Sequence, residues 1–205
     1  MTAATASVVT TDPRTLRRAL GNFATGVTIV TAQHEGVRVG VTANSFSSVS
    51  LDPPLILWCL DKCSSSFAVF EQASHFAINI LSVDQIGLSN QFASSQEDRF
   101  SEVPLHEGPG GCLVLEQTSA NFQCARHQIL DGGDHWILIG RVEVFEDYGR
   151  APLVYHQGSY SLVLPHPYRK PGNPTQRAAD PILGRLSDNP YYLMTQGMRS
   201  YPQIG

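Results

Sequence analysis

The sequence predicts a mainly β, antiparallel domain of barrel type with two or three short helices. At least six β-branched or alternating apolar runs lie between residues 27 and 164, and few segments show helical spacing. Successive runs are joined by hairpin signals, QHEG at 33–36 and DGGD at 131–134, and not by the long crossovers that parallel sheets need. No G-x-G-x-x-G follows the first strand, so a doubly wound fold is disfavoured and any dinucleotide has to be held by scattered loop contacts.

From the start of the chain, residues 1–11 are small and polar and are expected to be disordered. Asp12 suits an N-cap and Pro13 the first helical position, with Leu16, Leu20 and Phe23 forming one apolar face. VTIVTA from Val27 and VRVGVT from Val37 form a hairpin in which Gly36 takes the tight position. The stretch from Gly40 to Leu60 reads as strand, polar turn, strand, and the turn carries Thr42, Asn44, Ser45, Ser47, Ser48 and Ser50. Such a row of small hydrogen-bonding groups either joins two strands or meets the edge of a flat, heteroatom-rich ring.

After the strand Leu55–Leu60, Phe67, Val69, Phe70 and Ala73 recur at helical spacing behind Ser64, Ser65 and Ser66. That start is either an ordinary N-cap or, with Lys62 beside it, an anion site. HFAINIL from 75 reads as a strand, Val83 to Phe92 as a helix, and ASSQEDRF as a polar loop whose Arg99 either meets a phosphate or is solvated. Ser119–Leu130 and His135–Glu146 flank DGGD as a long hairpin, and Leu153–Tyr155 and Tyr160–Leu164 read as final short strands.

Net charge is −4 with pI near 5.9, and no basic cluster exceeds the pair Arg17–Arg18, which argues against nucleic acid as a partner. No apolar run reaches the ~18 residues of a membrane span and the N-terminus lacks signal-peptide character, so a cytoplasmic location without membrane contact is expected. Cys59, Cys63, Cys112 and Cys124 show neither a zinc pattern nor a disulfide framework; free thiols and no metal site are expected.

Six segments in order resemble the short-chain flavin reductase family, the small components of two-component flavin-dependent monooxygenases. They are FATGVTIVTA at 23–32, GVTANSFSSVSLDPP at 40–54, SSSFAVFEQASHFAINIL at 64–81, QFASSQEDRF at 91–100, GDHWILIGRV at 133–142 and LVYHQGSY at 153–160. The resemblance implies an FMN-binding split barrel over 12–164, built as a homodimer, that reduces FMN or FAD with NADH or NADPH and supplies a separate monooxygenase. It implies that Thr42, Ala43, Asn44 and Ser45 line the isoalloxazine edge and that Ser47 and Ser48 face the ribityl chain or phosphate. Lys62, Ser64, Ser65 and Ser66 match the family's phosphate-binding helix start, and Phe92, Ala93 and Arg99 match the loop closing over the flavin. His135 matches the histidine near the nicotinamide, and Tyr155, His156, Gln157 and Gly158 match the segment approaching the pyridine nucleotide.

The implied reaction is hydride transfer between stacked rings held in a near-attack arrangement. His135 is then either catalytic, orienting the nicotinamide amide or donating toward flavin N1, or a residue that fixes the hairpin end. Relatives commonly carry an Arg where this chain has His156 and Gln157, which leaves NADH against NADPH open. Residues 165–205 hold seven of the thirteen prolines and are expected to form an arm over the barrel or a second subunit. Two other readings remain: a carrier with permanently bound FMN that passes electrons to ferric iron or a cobalt corrinoid, and a flavin-free barrel used for partner binding.

Overall fold

The computed structural model describes residues 12–96 and 98–164. Helix α1 (Pro13–Leu20) starts as the residue types dictate: Asp12 accepts from the Arg14 N–H at 3.3 Å and Pro13 opens the first turn. Its apolar face is not buried, however. Leu16, Leu20 and Phe23 are 48%, 65% and 78% exposed, because no described element covers them.

Twelve strands follow in the described residues: β1 (Thr25–Gly26), β2 (Thr28–His34), β3 (Val37–Ala43), β4 (Ser47–Leu51), β5 (Pro54–Asp61), β6 (His75–Ile80), β7 (Leu105–Glu107), β8 (Leu113–Leu115), β9 (Ala120–Asp131), β10 (His135–Asp147), β11 (Val154–His156) and β12 (Ser159–Ser161). Helices α2 (Phe67–Gln72) and α3 (Ile86–Ala93) lie between them. Seven strands form one antiparallel sheet in the order β3-β2-β6-β9-β10-β5-β4; β1-β11-β12 and β7-β8 form two small ones. The protein is thus mainly β with a few helices, as expected.

The β2–β3 hairpin turns on Glu35 (φ 48°) and Gly36 (φ 80°), a pairing of left-handed residues that suits the right-handed twist of the flanking strands. Alternation in β5 buries Ile56, Trp58 and Leu60, which pack with Val30, Phe70, Phe76, Ile78 and Leu138 in the main core. A second cluster, Val27, Ile29, Leu81, Phe92, Leu115 and Leu153, sits under α3. Between strands, the fully buried Asn79 donates to Ile29 O (3.0 Å) and Thr31 Oγ1 (3.1 Å) and accepts from the Leu115 N–H (2.9 Å), so no polar atom of its carboxamide is orphaned.

The expectations for residues 44–50 and 83–92 are corrected. The polar turn is only Asn44 to Phe46, because Ser47–Leu51 hydrogen-bonds along β5 as an edge strand, a role in which backbone pairing outweighs serine's turn preference. Helix α3 begins at Ile86, not Val83, since the Gln85 side chain accepts from the Ser82 N–H at 3.0 Å and Ser82 bridges Pro152. The last strands are Val154–His156 and Ser159–Ser161, joined by Gln157 (φ 47°) and Gly158 (φ 81°). Residues 1–11 and 165–205, with the disorder and arm expected there, lie outside the described residues.

Candidate functional site

β3 is an edge of the large sheet, and the site runs along it. Where β3 ends, Ser45 Oγ accepts from the Cys59 N–H at 2.9 Å and donates to Cys59 O at 3.3 Å. This pins the 44–46 turn to β5 without a ladder between β3 and β5. The β5–β10 pairing sets His135 opposite Asp61. A cavity of about 290 Å³ results, lined by Thr42, Ala43, Asn44, Ser45, Cys59, Ser64 and His135 among others. Residues more than ninety positions apart are thereby collected around one opening.

Within it the groups differ in freedom. Thr42 Oγ1 donates to Ser89 O at 2.7 Å and so ties β3 to α3, while Ser45 is spent on Cys59. Asn44 is exposed, and its carboxamide has no partner among the described residues, so it is available to a ligand. His135 Nδ1 lies 2.7 Å from Asp134 Oδ1, which orients the ring, and its hydrogen bond holds the Asp134 carboxyl below the usual carboxylate range. Burial pushes the Cys59 thiol up, against the partial offset of the Ser45 hydrogen bond.

Across the Thr42–Asn44 segment lies a second cavity of about 230 Å³, lined by Val27, Ser89, Ala93, Tyr155 and Tyr160 as well as residues 42–44. Tyr155 and Tyr160 meet edge to face, centroids 5.6 Å apart, and Tyr160 OH donates to Asn90 Oδ1 at 2.8 Å. Tyr160 is legible in the sequence only as strand; its pairing opposite Tyr155 needs the β11–β12 register to be seen.

Further back along β3, a cavity of about 290 Å³ is lined by Arg38, Val39, Gly40, Ser65, Ser66, Ser95, Gln96, Arg99 and Phe100. Arg99 Nη1 donates to Gly40 O at 3.0 Å, and Arg38 makes no side-chain bond among the described residues. Two guanidiniums and three hydroxyls here suit an anion. The start of α2 contributes less than its serines suggest: the Ser66 N–H goes to Ser64 Oγ (3.3 Å), Phe67 N–H to Ser64 O (3.2 Å), and Val69 and Phe70 N–H to Ser66 O, each at 3.2 Å. Few free N–H groups remain.

Several sequence-predicted residues are not brought to these cavities. Lys62 Nζ sits 2.6 Å from Asp131 Oδ2 and 4.7 Å from the Trp136 ring centroid. Ser47 and Ser48 lie exposed on β4, paired with Leu57 and Ile56. The Phe92 ring is buried in the second core against Gly40 and Phe100. Gln157 is tied to Asn22 Oδ1 at 2.8 Å, and His156 and Gly158 border the same turn. Among the described residues no group of metal-ligating side chains is found. No helix there is long and apolar enough to cross a membrane.

An antiparallel sheet thus carries, along one edge strand, a polar turn, an oriented imidazole and a cavity lined by two guanidiniums. Residues 20–163 match the model of the flavin reductase like domain family, and the chain belongs to that family. It is similar to the stachydrine N-demethylase reductase subunit of Rhizobium meliloti (strain 1021), 47% identical over 150 residues, 73% of this chain and 65% of the relative. It is likewise 47% identical over 148 residues to the reductase component of the flavin-dependent trigonelline monooxygenase of Acinetobacter baylyi, covering 72% of this chain and 48% of that one. The chain thus spans between about half and two thirds of the length of these curated relatives. Among solved structures it resembles the NADH:FAD oxidoreductase of Streptomyces globisporus in complex with NAD and FAD fragments, with TM-score 0.73, 33% identity, and 77% and 96% of the two chains covered.

Proposed function

We propose that the chain is an NAD(P)H:flavin oxidoreductase that reduces FMN or FAD and supplies the reduced flavin to a separate monooxygenase. The observation that carries this reading is the gathering of Thr42 to Ser45, Ser64 and His135 around one opening at the β3 edge, with the Arg38–Arg99 cavity further along the same strand. The donor set fits a flavin: the Asn44 carboxamide and the Ser64 hydroxyl for the ring edge, guanidiniums for the phosphate. Thr42 to Ser45 and the Arg38–Arg99 cavity would hold a flavin, which when bound would supply the redox chemistry. The protein holds the rings in register, a contribution of up to roughly 7–11 kcal/mol in favourable cases. Asn44 would orient the ring edge, His135, held by Asp134, lines the same opening, and Tyr155 and Tyr160 line the second cavity beside it. The named relatives' descriptions as reductase components support the partner assignment.

The sheet is read as the split barrel of the family, with the Ser45–Cys59 contact bringing the end of β3 toward β5. Exposed Leu16, Leu20 and Phe23 suit burial in a second copy, giving a homodimer. Four unpaired cysteines agree with a cytoplasmic site of action. The test is steady-state oxidation of NADH and of NADPH with FMN, FAD or no flavin added. Oxidation that depends on added flavin and saturates with it is expected; a yellow protein that gains nothing from added flavin would instead favour the bound-carrier reading.

A further inference from the structure

We infer that the edge of β3 continues past the anion cavity into an adenosine site, so that the flavin this chain prefers is FAD. The inference rests on the flavin reading proposed above. Arg38 lines both the anion cavity and a neighbouring, larger one of about 540 Å³ at the β2–β3 hairpin. From Asn44 back to Arg38 the strand runs about 20 Å at ~3.3 Å per residue, the reach of a tricyclic ring, a five-carbon chain and a phosphate. FMN would end there. A second phosphate would meet the Arg38 guanidinium, which has no side-chain partner among the described residues, and whatever follows it enters the larger cavity.

The lining of that cavity selects a nucleoside without further phosphate. Gln33, His34, Glu35, Ser74 and Glu107 border it beside Arg38. Glu107 uses Oε1 to accept from Gln33 Nε2 at 3.1 Å, which leaves its other oxygen for a ribose diol or the adenine amine. The Gln33 carboxamide oxygen and the His34 ring offer further polar contacts to adenine. Two carboxylates, Glu35 and Glu107, oppose an additional anionic group, so a 2′-phosphorylated nucleotide is disfavoured in the same place.

The test compares equilibrium binding of riboflavin, FMN and FAD to the full 205-residue chain by flavin fluorescence, for the unmodified protein and for Ser74→Trp and Glu107→Ala. FAD should bind at least about tenfold more tightly than FMN, the effect of one or two added hydrogen bonds. Ser74→Trp, which fills the cavity, and Glu107→Ala, which removes an acceptor, should each lower FAD affinity toward that of FMN while leaving FMN affinity unchanged. Equal binding of FMN and FAD by the unmodified chain, or an FAD preference that survives both substitutions, would overturn the inference and leave the reductase reading intact. Failure to bind any of the three flavins would overturn both.

Discussion

Gly40→Ala tests the link between core packing and the site most directly. Gly40 is a buried residue of β3, in the wall of the anion cavity, and its carbonyl receives Arg99. A Cβ there would lie 2.3 Å from Phe92 Cε1, 2.4 Å from Phe92 Cδ1 and 3.2 Å from Phe100 Cζ. Phe92 is itself fully buried and packs edge to face on Phe100 with centroids 5.0 Å apart, so the ring has no open side to move into. Overpacking of this kind costs about 1–3 kcal/mol. For a domain of this size that is a fall in Tm of roughly 2–12 °C, at ~2–4 °C per kcal/mol. Phe92→Leu alone should cost about 1–3 kcal/mol through the space it leaves. The double variant should lose clearly less than the sum, because the added methyl occupies what the ring vacates. Calorimetric or optical melting of the four proteins reads this. A Gly40→Ala Tm within about a degree of the unmodified chain, or strict additivity in the cycle, would refute the close β3–α3 approach.

Asn44→Leu should weaken flavin binding by about 1–3 kcal/mol in a fluorescence titration, since a ring-edge polar group loses its partner. His135→Ala should lower the rate of flavin reduction in rapid mixing more than it lowers flavin affinity; equal losses would mean that the residue only fixes the β9–β10 turn. Thiol titration should find Cys63 reactive in the folded chain and Cys112 and Cys124 silent until denaturant is added, because burial raises their pKa values to about 11 and about 12; bound flavin should additionally protect Cys59, which lines the His135 cavity. Hydrogen bonds from Tyr148, first, and Asn121 lower the Glu146 carboxyl, and burial with the Glu146 contact raises the Tyr148 hydroxyl. Stability from this pair is therefore present above the unfolded carboxylate range and below the unfolded phenol range, and is lost as pH falls through the folded Glu146 value or rises through that of Tyr148. Glu146→Gln should be less stable than the unmodified chain near neutral pH, with the gap closing in acid; a gap that persists in strong acid would contradict the linkage.

Strong local signals in the sequence survive in the structure, and the misreadings share one cause. The Glu35–Gly36 and DGGD turns, the apolar runs of β5 and β6 and the Asp12–Pro13 helix start depend on a few adjacent residues, and each appears where the residue pattern puts it, although β6 is buried on both faces and does not alternate between core and solvent. Ser47–Leu51 was misread because its strand character is borrowed from β5 across the turn and is not its own. The six segments of family resemblance located the polar edge and His135, yet they could not show that Ser45 is consumed by Cys59 or that Lys62 turns to Asp131 and Trp136. Arg38, Ser89 and Tyr160 carried no signal beyond strand or helix periodicity. Ser89 and Tyr160 meet the second cavity only once α3 and β12 are docked, and Arg38 meets the anion cavity only once Ser65, Ser66 and Arg99 lie against β3.

The β5–β10 register also bears on how faithfully the chemistry is copied from one folded molecule to the next. The alignment that puts Trp58 opposite Leu138 and Leu60 opposite Trp136 also puts Asp61 opposite His135. Sliding β5 by one residue would turn Trp58 and Leu60 out to water, sliding β10 would turn out Leu138, and either slip would shift the imidazole relative to Asn44 and Ser64. Misaligned molecules are thus penalised by hydrophobic exposure before their reactivity matters. The greasy interior acts as a proofreader for the placement of a histidine that it never touches, and precision at the opening comes as a by-product of packing.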